Sequence, residues 1–177
     1  MSFADTRCIR PNPSLAGMSG IRRNPLDVFE RISIAEHYDF ERVNPTELHM
    51  CIPGVWCNHD VSLTWDFSAE IIQLFLTFEG RIPGGRSDDI CRLMSLLNER
   101  LSSGHFDYWD KNAALVYRNS MSLCGGADLK TEQAMTLLAH AIDGAERGFP
   151  ACQYVVWAGK SPEEALTTAL LDLAAQS

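Results

Sequence analysis

The sequence has 177 residues, of which 46% are hydrophobic and 21% are charged, a balance typical of a folded globular chain and not of a disordered one. The formal net charge of −8 argues against a surface that binds nucleic acid by neutralising phosphates. No apolar run approaches the roughly 18 residues that a membrane span needs. Neither nucleic acid nor a membrane is therefore an expected partner.

The six cysteines are scattered along the chain without the paired spacing of a disulfide framework. The start of the sequence, MSFADTRCIR, contains no apolar signal core. Both observations are typical of a protein that stays in a reducing compartment. We therefore expect a cytoplasmic location and cysteines that remain thiols.

The first 23 residues contain several prolines and glycines and no sustained hydrophobic period, which predicts an extended N-terminal arm outside the fold. Residues 24–177 are predicted to form one α+β domain. Asn24 as N-cap and Pro25 at the first helical position mark the start of a helix that runs to about Tyr38.

A central β-hairpin organises the middle of the sequence. From Val55 to Trp65 apolar and polar residues alternate, and the alternation continues from residue 72 to residue 78, so two long antiparallel strands are predicted. Before them, short segments on either side of Asn44-Pro45 predict a small hairpin.

The second half of the chain is predicted to return to helices. Apolar residues recur at helical spacing from Ser87 to about Ser103, and a strand pair follows over residues 105–110 and 113–121. A helix from Thr131 meets Pro150, where it either kinks or ends at Gly148 and restarts at Ala151; the apolar stripe continues past Pro150, which favours a kink. A last helix begins after Ser161 and ends near residue 174.

Three apolar residues interrupt the otherwise polar outer face of the central hairpin: Trp56, Ile71 and Phe75. A second packed layer of helices would cover them, since helices often cover both sides of a sheet. Alternatively, these residues form the contact surface for a second copy or for a client protein, because exposed aromatic patches usually mark contacts. We take them as candidate protein-binding residues.

Four residues on the strands could be read as a metal site: His49 and Cys51 on one strand, and Cys57 and His59 on the next. The spacing lacks the usual loop geometry of such sites, and a buried cysteine is commonly a small core residue. We therefore predict no metal and no cofactor.

Candidate catalytic pairs are equally incomplete. His105 and Asp107 could act as a base and its orienting carboxylate, but no nucleophile or oxyanion-binding turn accompanies them. Cys57 with His59 as a catalytic dyad has the same weakness. The sequence therefore predicts no catalytic residue and no enzyme.

Three blocks of sequence carry a resemblance to a known family: PGVWCNHDVSLTW (residues 53–65), LLNERLSSGHFDYW (96–109) and WAGKSPEEAL (157–166). Together with the Asn24-Pro25-Leu26 helix start, they resemble the YbjN family of bacterial sensory transduction regulators over roughly residues 24–174. None of the blocks carries a known chemistry, and the N-terminal arm lies outside the match.

The resemblance implies a fold like that of the type III secretion chaperones, an antiparallel β-sheet flanked by helices in the order α-β-β-β-α-β-β-α. Our reading of the residues adds one short strand and a C-terminal helix to this order. Proteins of that fold commonly dimerise and hold client segments, but a shared fold does not transfer a function.

We therefore expect a non-enzymatic regulatory or chaperone-like protein that acts through protein–protein contacts as a homodimer, in bacterial signalling or in stress or motility regulation. The alternative is a small-ligand sensor with a pocket between sheet and helices. That pocket is predicted to be lined by Trp65, His105 and Trp109.

Overall fold

The computed structural model describes residues 23–78 and 82–176. The predicted arm, apart from Arg23, lies outside the described residues. The elements are α1 (Leu26–Glu36), β1 (Asp39–Asn44), β2 (Glu47–Pro53), β3 (Asn58–Asp66), β4 (Ile71–Thr77), α2 (Ser87–Asn98), β5 (His105–Trp109), β6 (Ala114–Ser122), α3 (Thr131–Val156) and α4 (Pro162–Gln176). A single 3₁₀ turn, Gly84–Arg86, precedes α2.

The six strands form one sheet in the order β1-β2-β3-β4-β6-β5, and every neighbouring pair is antiparallel. The predicted α+β class with an antiparallel sheet is thereby confirmed. Four strands lie between α1 and α2, as the residue patterns predict, where the family resemblance implies three. The added C-terminal helix is also present, as α4.

Alternation along the central hairpin divides the sheet into two faces. On β3 and β4, Leu63 and Leu74 are fully buried, whereas their neighbours Thr64 and Gln73 are partly exposed. One hydrophobic core joins such inward-facing residues to apolar residues of all four helices. The outward positions contribute nothing to this core.

The other side of the sheet, which we call the open face, is not covered by any helix of the described part of the chain, because all four helices join the single core on the inner side. Within residues 23–78 and 82–176, a second packed helical layer is therefore not what accommodates apolar residues on the outer side. This layering places the open face in a position to make contacts with other molecules.

The central hairpin begins later than its alternation predicts, because Gly54 turns the chain after β2. The Gly54 amide donates a hydrogen bond to the Cys57 carbonyl at 3.0 Å, so residues 54–57 form a bend and β3 begins at Asn58. The predicted start at Val55 is therefore wrong by three residues.

Helix α2 is also shorter than predicted and ends at Asn98 instead of near Ser103. The Asn98 side chain accepts a hydrogen bond from the Phe106 amide at 2.7 Å and donates one to the Phe106 carbonyl at 3.2 Å. These two bonds fix the helix end against the start of β5. Gly104, with φ of 72°, turns the chain between them.

Both predicted C-terminal helices are present. Helix α3 continues through Pro150 from Thr131 to Val156 without a break, and the kink at Pro150 stays a prediction. Before α4, the Ser161 hydroxyl lies 2.8 Å from the Glu164 carboxylate, whose oxygen also accepts the Ser161 amide proton. This pairing is the predicted capping arrangement.

Candidate functional site

An aromatic cluster occupies the β4–β6–β5 half of the open face. It consists of Phe75, Asp107, Trp109, Val116 and Arg118. The Phe75 and Trp109 rings lie 5.9 Å apart between centroids at an interplanar angle of 59°. The Arg118 guanidinium carbon lies 5.4 Å from the Phe75 ring centroid, within the range of a cation–π contact.

Strand register explains why these side chains meet. Arg118 is the direct cross-strand partner of Phe75 on β4 and of His105 on β5, so all three point to the same face. Trp109 pairs with Ala114, two positions further along this side of β6. To contact Phe75, the Trp109 indole must therefore reach diagonally across β6.

Val116 lies on β6 beneath this diagonal. It is fully buried but does not belong to the hydrophobic core on the helix side. Its register partners, Thr77 and Asp107, place it on the open face. The cluster is therefore a small hydrophobic centre of its own.

Asp107 supplies the polar support of the cluster. Its Oδ2 atom accepts hydrogen bonds from the Trp109 indole N–H and from the Arg118 guanidinium, each at 3.3 Å. Because one carboxylate orients both neighbours, the aromatic and cationic groups are held in place on a surface that no described helix covers. Such pre-organisation lowers the entropic cost of binding.

A depression of about 240 Å³ adjoins the cluster, and Gln73, Phe75, Gly104, His105, Arg118, Asn119 and Ser120 line it. Arg118 gives it a positive group, but Asp107 already pairs with that charge. The depression is therefore better suited to a polar contact at the rim of an interface than to capturing an anion.

The β1–β2–β3 half of the open face is acidic. A shallow depression of about 500 Å³ there includes Asp39, Glu41 and Asp60. Partial burial, with the nearby carboxylates of Asp60 and Asp39, raises the pKa of the Cys51 thiol, since thiolate formation would add a third negative charge. The open face thus joins an acidic half to an aromatic half.

The three predicted protein-contact residues do not form one surface. Phe75 lies in the aromatic cluster, and Ile71 lies on the same face of β4, four residues away at roughly 13 Å by strand rise. Trp56 is not on the open face. Its indole N–H donates to the backbone carbonyl of Glu146 on α3 at 3.0 Å, so it fastens the bend to the helix layer.

The three residues predicted to line a ligand pocket are likewise not brought together. Trp65 is 3% exposed and packs on the helix side of β3. His105 and Trp109 lie on the open face, which is the opposite side of the sheet. A pocket between sheet and helices formed by all three is therefore ruled out by the register.

The four possible metal ligands are separated in the same way. His49 and Cys51 lie on the open face, where they pair with Ser62 and Asp60, whereas His59 is 2% exposed on the inner side and Cys57 lies in the bend before β3. Within residues 23–78 and 82–176, no three histidine, cysteine or carboxylate side chains cluster as metal ligands.

The structure adds two features that the sequence reasoning missed. Glu146 is buried on α3 and pairs with His59 at 2.8 Å between Nε2 and Oε1. The one sequence signal for Glu146 is that a carboxylate occurs among the small residues that α3 buries. Trp157 closes α3 and is 72% exposed, which makes it a second candidate contact residue.

Comparison with known proteins places the chain in a family. The YbjN family model, described as "Putative bacterial sensory transduction regulator", matches residues 25–154. The chain belongs to the YbjN family. Membership supports a regulatory role. No curated protein matches the chain.

One solved structure similar to this YbjN family member is "Crystal structure of YbjN, a putative transcription regulator from E. coli". It shares 17% sequence identity, with 67% of this chain and 84% of that chain covered, at a TM-score of 0.48. In the described part of this family member, no helix combines the length and apolarity needed to cross a bilayer.

Proposed function

We propose that this protein is a non-enzymatic cytoplasmic regulator that binds another protein through the aromatic cluster on the open face of its sheet. The observation that carries the proposal is the contact of Phe75, Trp109 and Arg118 on a surface that no described helix covers. Aromatic residues and arginine are the residue types enriched at protein interfaces and among their energetic hot spots.

The chemistry of the cluster indicates the kind of contact. Two aromatic rings offer apolar area, while Asp107 and Arg118 offer one group of each charge at the rim. The partner therefore presents an apolar side chain flanked by polar groups of both signs. A charge-balanced patch of this kind can also match itself, so we propose that the protein forms a homodimer through this face.

The experiment is affinity capture from the native cell with three forms of the full chain: the wild type, Trp109→Ser and Trp157→Ser. Both substitutions remove a tryptophan that is not in the main core, one in the aromatic cluster and one at the end of α3. Circular dichroism and thermal melting first establish that both variants fold. Sedimentation velocity of the same three proteins measures self-association.

The proposal predicts that partners recovered with the wild type are also recovered with Trp157→Ser and are lost with Trp109→Ser. Sedimentation should give a dimer for the wild type and a larger monomer fraction for Trp109→Ser. Equal recovery with all three forms would contradict the assignment to the open face. Loss with Trp157→Ser alone would move the contact surface to the end of α3.

A further inference from the structure

A cysteine, a histidine and a glutamate form a chain of polar contacts where the bend before β3 meets α3. Nε2 of His59 lies 2.8 Å from Oε1 of Glu146, and Nδ1 of His59 lies 4.0 Å from Sγ of Cys57. The imidazole is 2% exposed, the Glu146 side chain is 9% exposed, and Cys57 is half-buried. The imidazole therefore stands between a buried carboxylate and a partly accessible thiol.

The contact with Glu146 fixes the roles of the two ring nitrogens. An ionised carboxylate only accepts hydrogen bonds, so Nε2 of the neutral imidazole carries the proton. Nδ1 is then the acceptor, and it faces the Cys57 sulfur. This is the order of a nucleophile, a base and a carboxylate that orients the base.

Several contacts hold this arrangement in place. Oε1 of Glu146 also accepts the Val55 amide proton at 2.8 Å, and the Trp56 indole donates to the Glu146 carbonyl. A Cβ atom at Gly54 would collide with the Glu146 carboxylate and the His59 ring, so the backbone of the bend approaches the pair as closely as only glycine permits.

Glu146 also has one carboxylate oxygen that is not hydrogen-bonded to any described residue. Its second oxygen, Oε2, is buried and has no hydrogen-bond partner among the described residues. A carboxylate half-satisfied in this way is costly to bury. An imidazolium beside it would stabilise the negative charge of this carboxylate, so the Glu146 carboxylate favours transfer of a proton from Cys57 to His59.

We propose that Cys57 is a nucleophilic thiol and a site of covalent modification, with His59 as its base and Glu146 as the positioning residue. The buried Glu146 carboxylate beside His59 disfavours anionic reagents by charge repulsion. Because Cys57 is half-buried, only a small reagent can reach its thiol. The reactive partner is therefore a small uncharged carbon electrophile.

The reaction begins with transfer of the Cys57 thiol proton to Nδ1 of His59, which leaves a thiolate beside an imidazolium. With iodoacetamide as the electrophile, the sulfur–carbon bond forms while the carbon–iodine bond breaks and iodide leaves. The imidazolium then releases its proton to water. Sulfur is alkylated and His59 returns to its neutral form. This modification does not depend on the open face, so it stands independently of the proposed function.

The test is the pH dependence of iodoacetamide alkylation, followed at each cysteine by mass spectrometry on the full chain. The reference for Cys57 is the same residue in the urea-denatured protein, where a thiol titrates near its ordinary pKa of about 8.5. We expect the midpoint of the native Cys57 profile to lie at least about one pH unit lower, the range seen for His-paired thiols. Of the other charged groups on these two elements, Asp60 of β3 belongs to the open face, and Asp143 and Arg147 of α3 pair with each other at the surface.

Two variants separate activation from a merely structural role. His59→Gln keeps an N–H donor for Glu146 but removes the base, so the midpoint should return to that of the denatured chain. His49→Gln makes the same change on the open face, where the His49 side chain is 48% exposed, and should leave the midpoint unchanged. A native midpoint equal to or above the denatured one overturns the proposal, as does an unchanged midpoint in folded His59→Gln.

Discussion

Arg118 lies over the ring of Phe75, its direct partner across β4 and β6, on the side of the sheet that no described helix covers. Asp107 fixes the guanidinium from the other side. A cation held over an aromatic ring in this way keeps both side chains in one geometry before any partner arrives. That relationship makes this region of the open face more than a scatter of exposed apolar residues, which alone would need no explanation.

Substitution of Val116 measures whether the aromatic cluster packs as a hydrophobic centre. Val116→Ala should lower the free energy of unfolding by about 1–2 kcal/mol, as expected for removing buried methyl groups. Val43→Ala is the matched control, because Val43 also lies on a strand but is 47% exposed. Its effect should stay within about 0.5 kcal/mol. Equal effects of the two substitutions in urea unfolding would show that the cluster does not shield Val116.

Gly54 offers a test of the close approach between the bend and the buried pair. A Cβ atom there would overlap both the Glu146 carboxylate and the His59 ring. Gly54→Ala should therefore destabilise the protein by about 1–3 kcal/mol, the usual cost of overpacking. Gly85→Ala is the control, since nothing lies within 4 Å of its Cβ position. Chemical denaturation that finds Gly54→Ala as stable as Gly85→Ala would contradict this geometry.

Glu146 joins His59, the bend and α3, so its removal should be costly. Glu146→Ala is expected to destabilise the fold by about 3 kcal/mol, because it leaves buried donors unpaired. The neighbouring Arg147 forms a solvent-accessible ion pair with Asp143, and Arg147→Ala should cost less than about 1 kcal/mol. Thermal melting and urea titration of both variants provide the comparison. A smaller loss for Glu146→Ala than for Arg147→Ala would refute the role of the pair.

The raised pKa of Tyr117 predicts that the folded protein loses stability at alkaline pH. Burial, with a smaller contribution from the Asp143 charge, raises the pKa of Tyr117 to about 12, despite the opposing hydrogen bond from Asn119. The folded-state pKa exceeds the unfolded value of about 10, so the stabilisation is complete below pH 10 and is lost as pH rises through 12.

Unfolding curves between pH 9 and pH 12 should therefore show the wild type losing stability more steeply than Tyr117→Phe. The Phe variant also loses the hydrogen bond from the Tyr117 hydroxyl to the Ser103 carbonyl, so it should be less stable at pH 8. Parallel curves for the two proteins across this range would show that Tyr117 does not titrate with a raised pKa.

Sequence patterns predicted most of the elements because each depends on neighbours along the chain. The alternation of Leu63 and Leu74 with polar residues identifies the inner face of the hairpin, and Ser161 with Glu164 identifies the start of α4. The two shifted boundaries depend on individual hydrogen bonds instead, between Gly54 and Cys57 and between Asn98 and Phe106. Asn98 ends α2 by pairing with Phe106, a contact that periodicity does not encode.

The candidate sites were less predictable for the same reason. Phase along β4 correctly placed Phe75 on the outer face, but its contacts with Trp109 and Arg118 require the order in which β4, β6 and β5 pair. The same alternation does not apply to Trp56, because Trp56 lies in the bend and β3 begins only at Asn58. The pairing of His59 with Glu146 joins residues 87 positions apart, which no local pattern reveals.

Contact between the aromatic cluster on the open face and a partner protein can be trapped by photo-crosslinking in the native cell. A photoreactive phenylalanine analogue is placed at Phe75 or, as control, at Phe67. Phe67 is 59% exposed in the β3–β4 connection and lies outside the cluster. We predict discrete protein adducts, including a second copy of the chain, from position 75 and none from position 67. Adducts from position 67 alone, or none from either position, would contradict this contact.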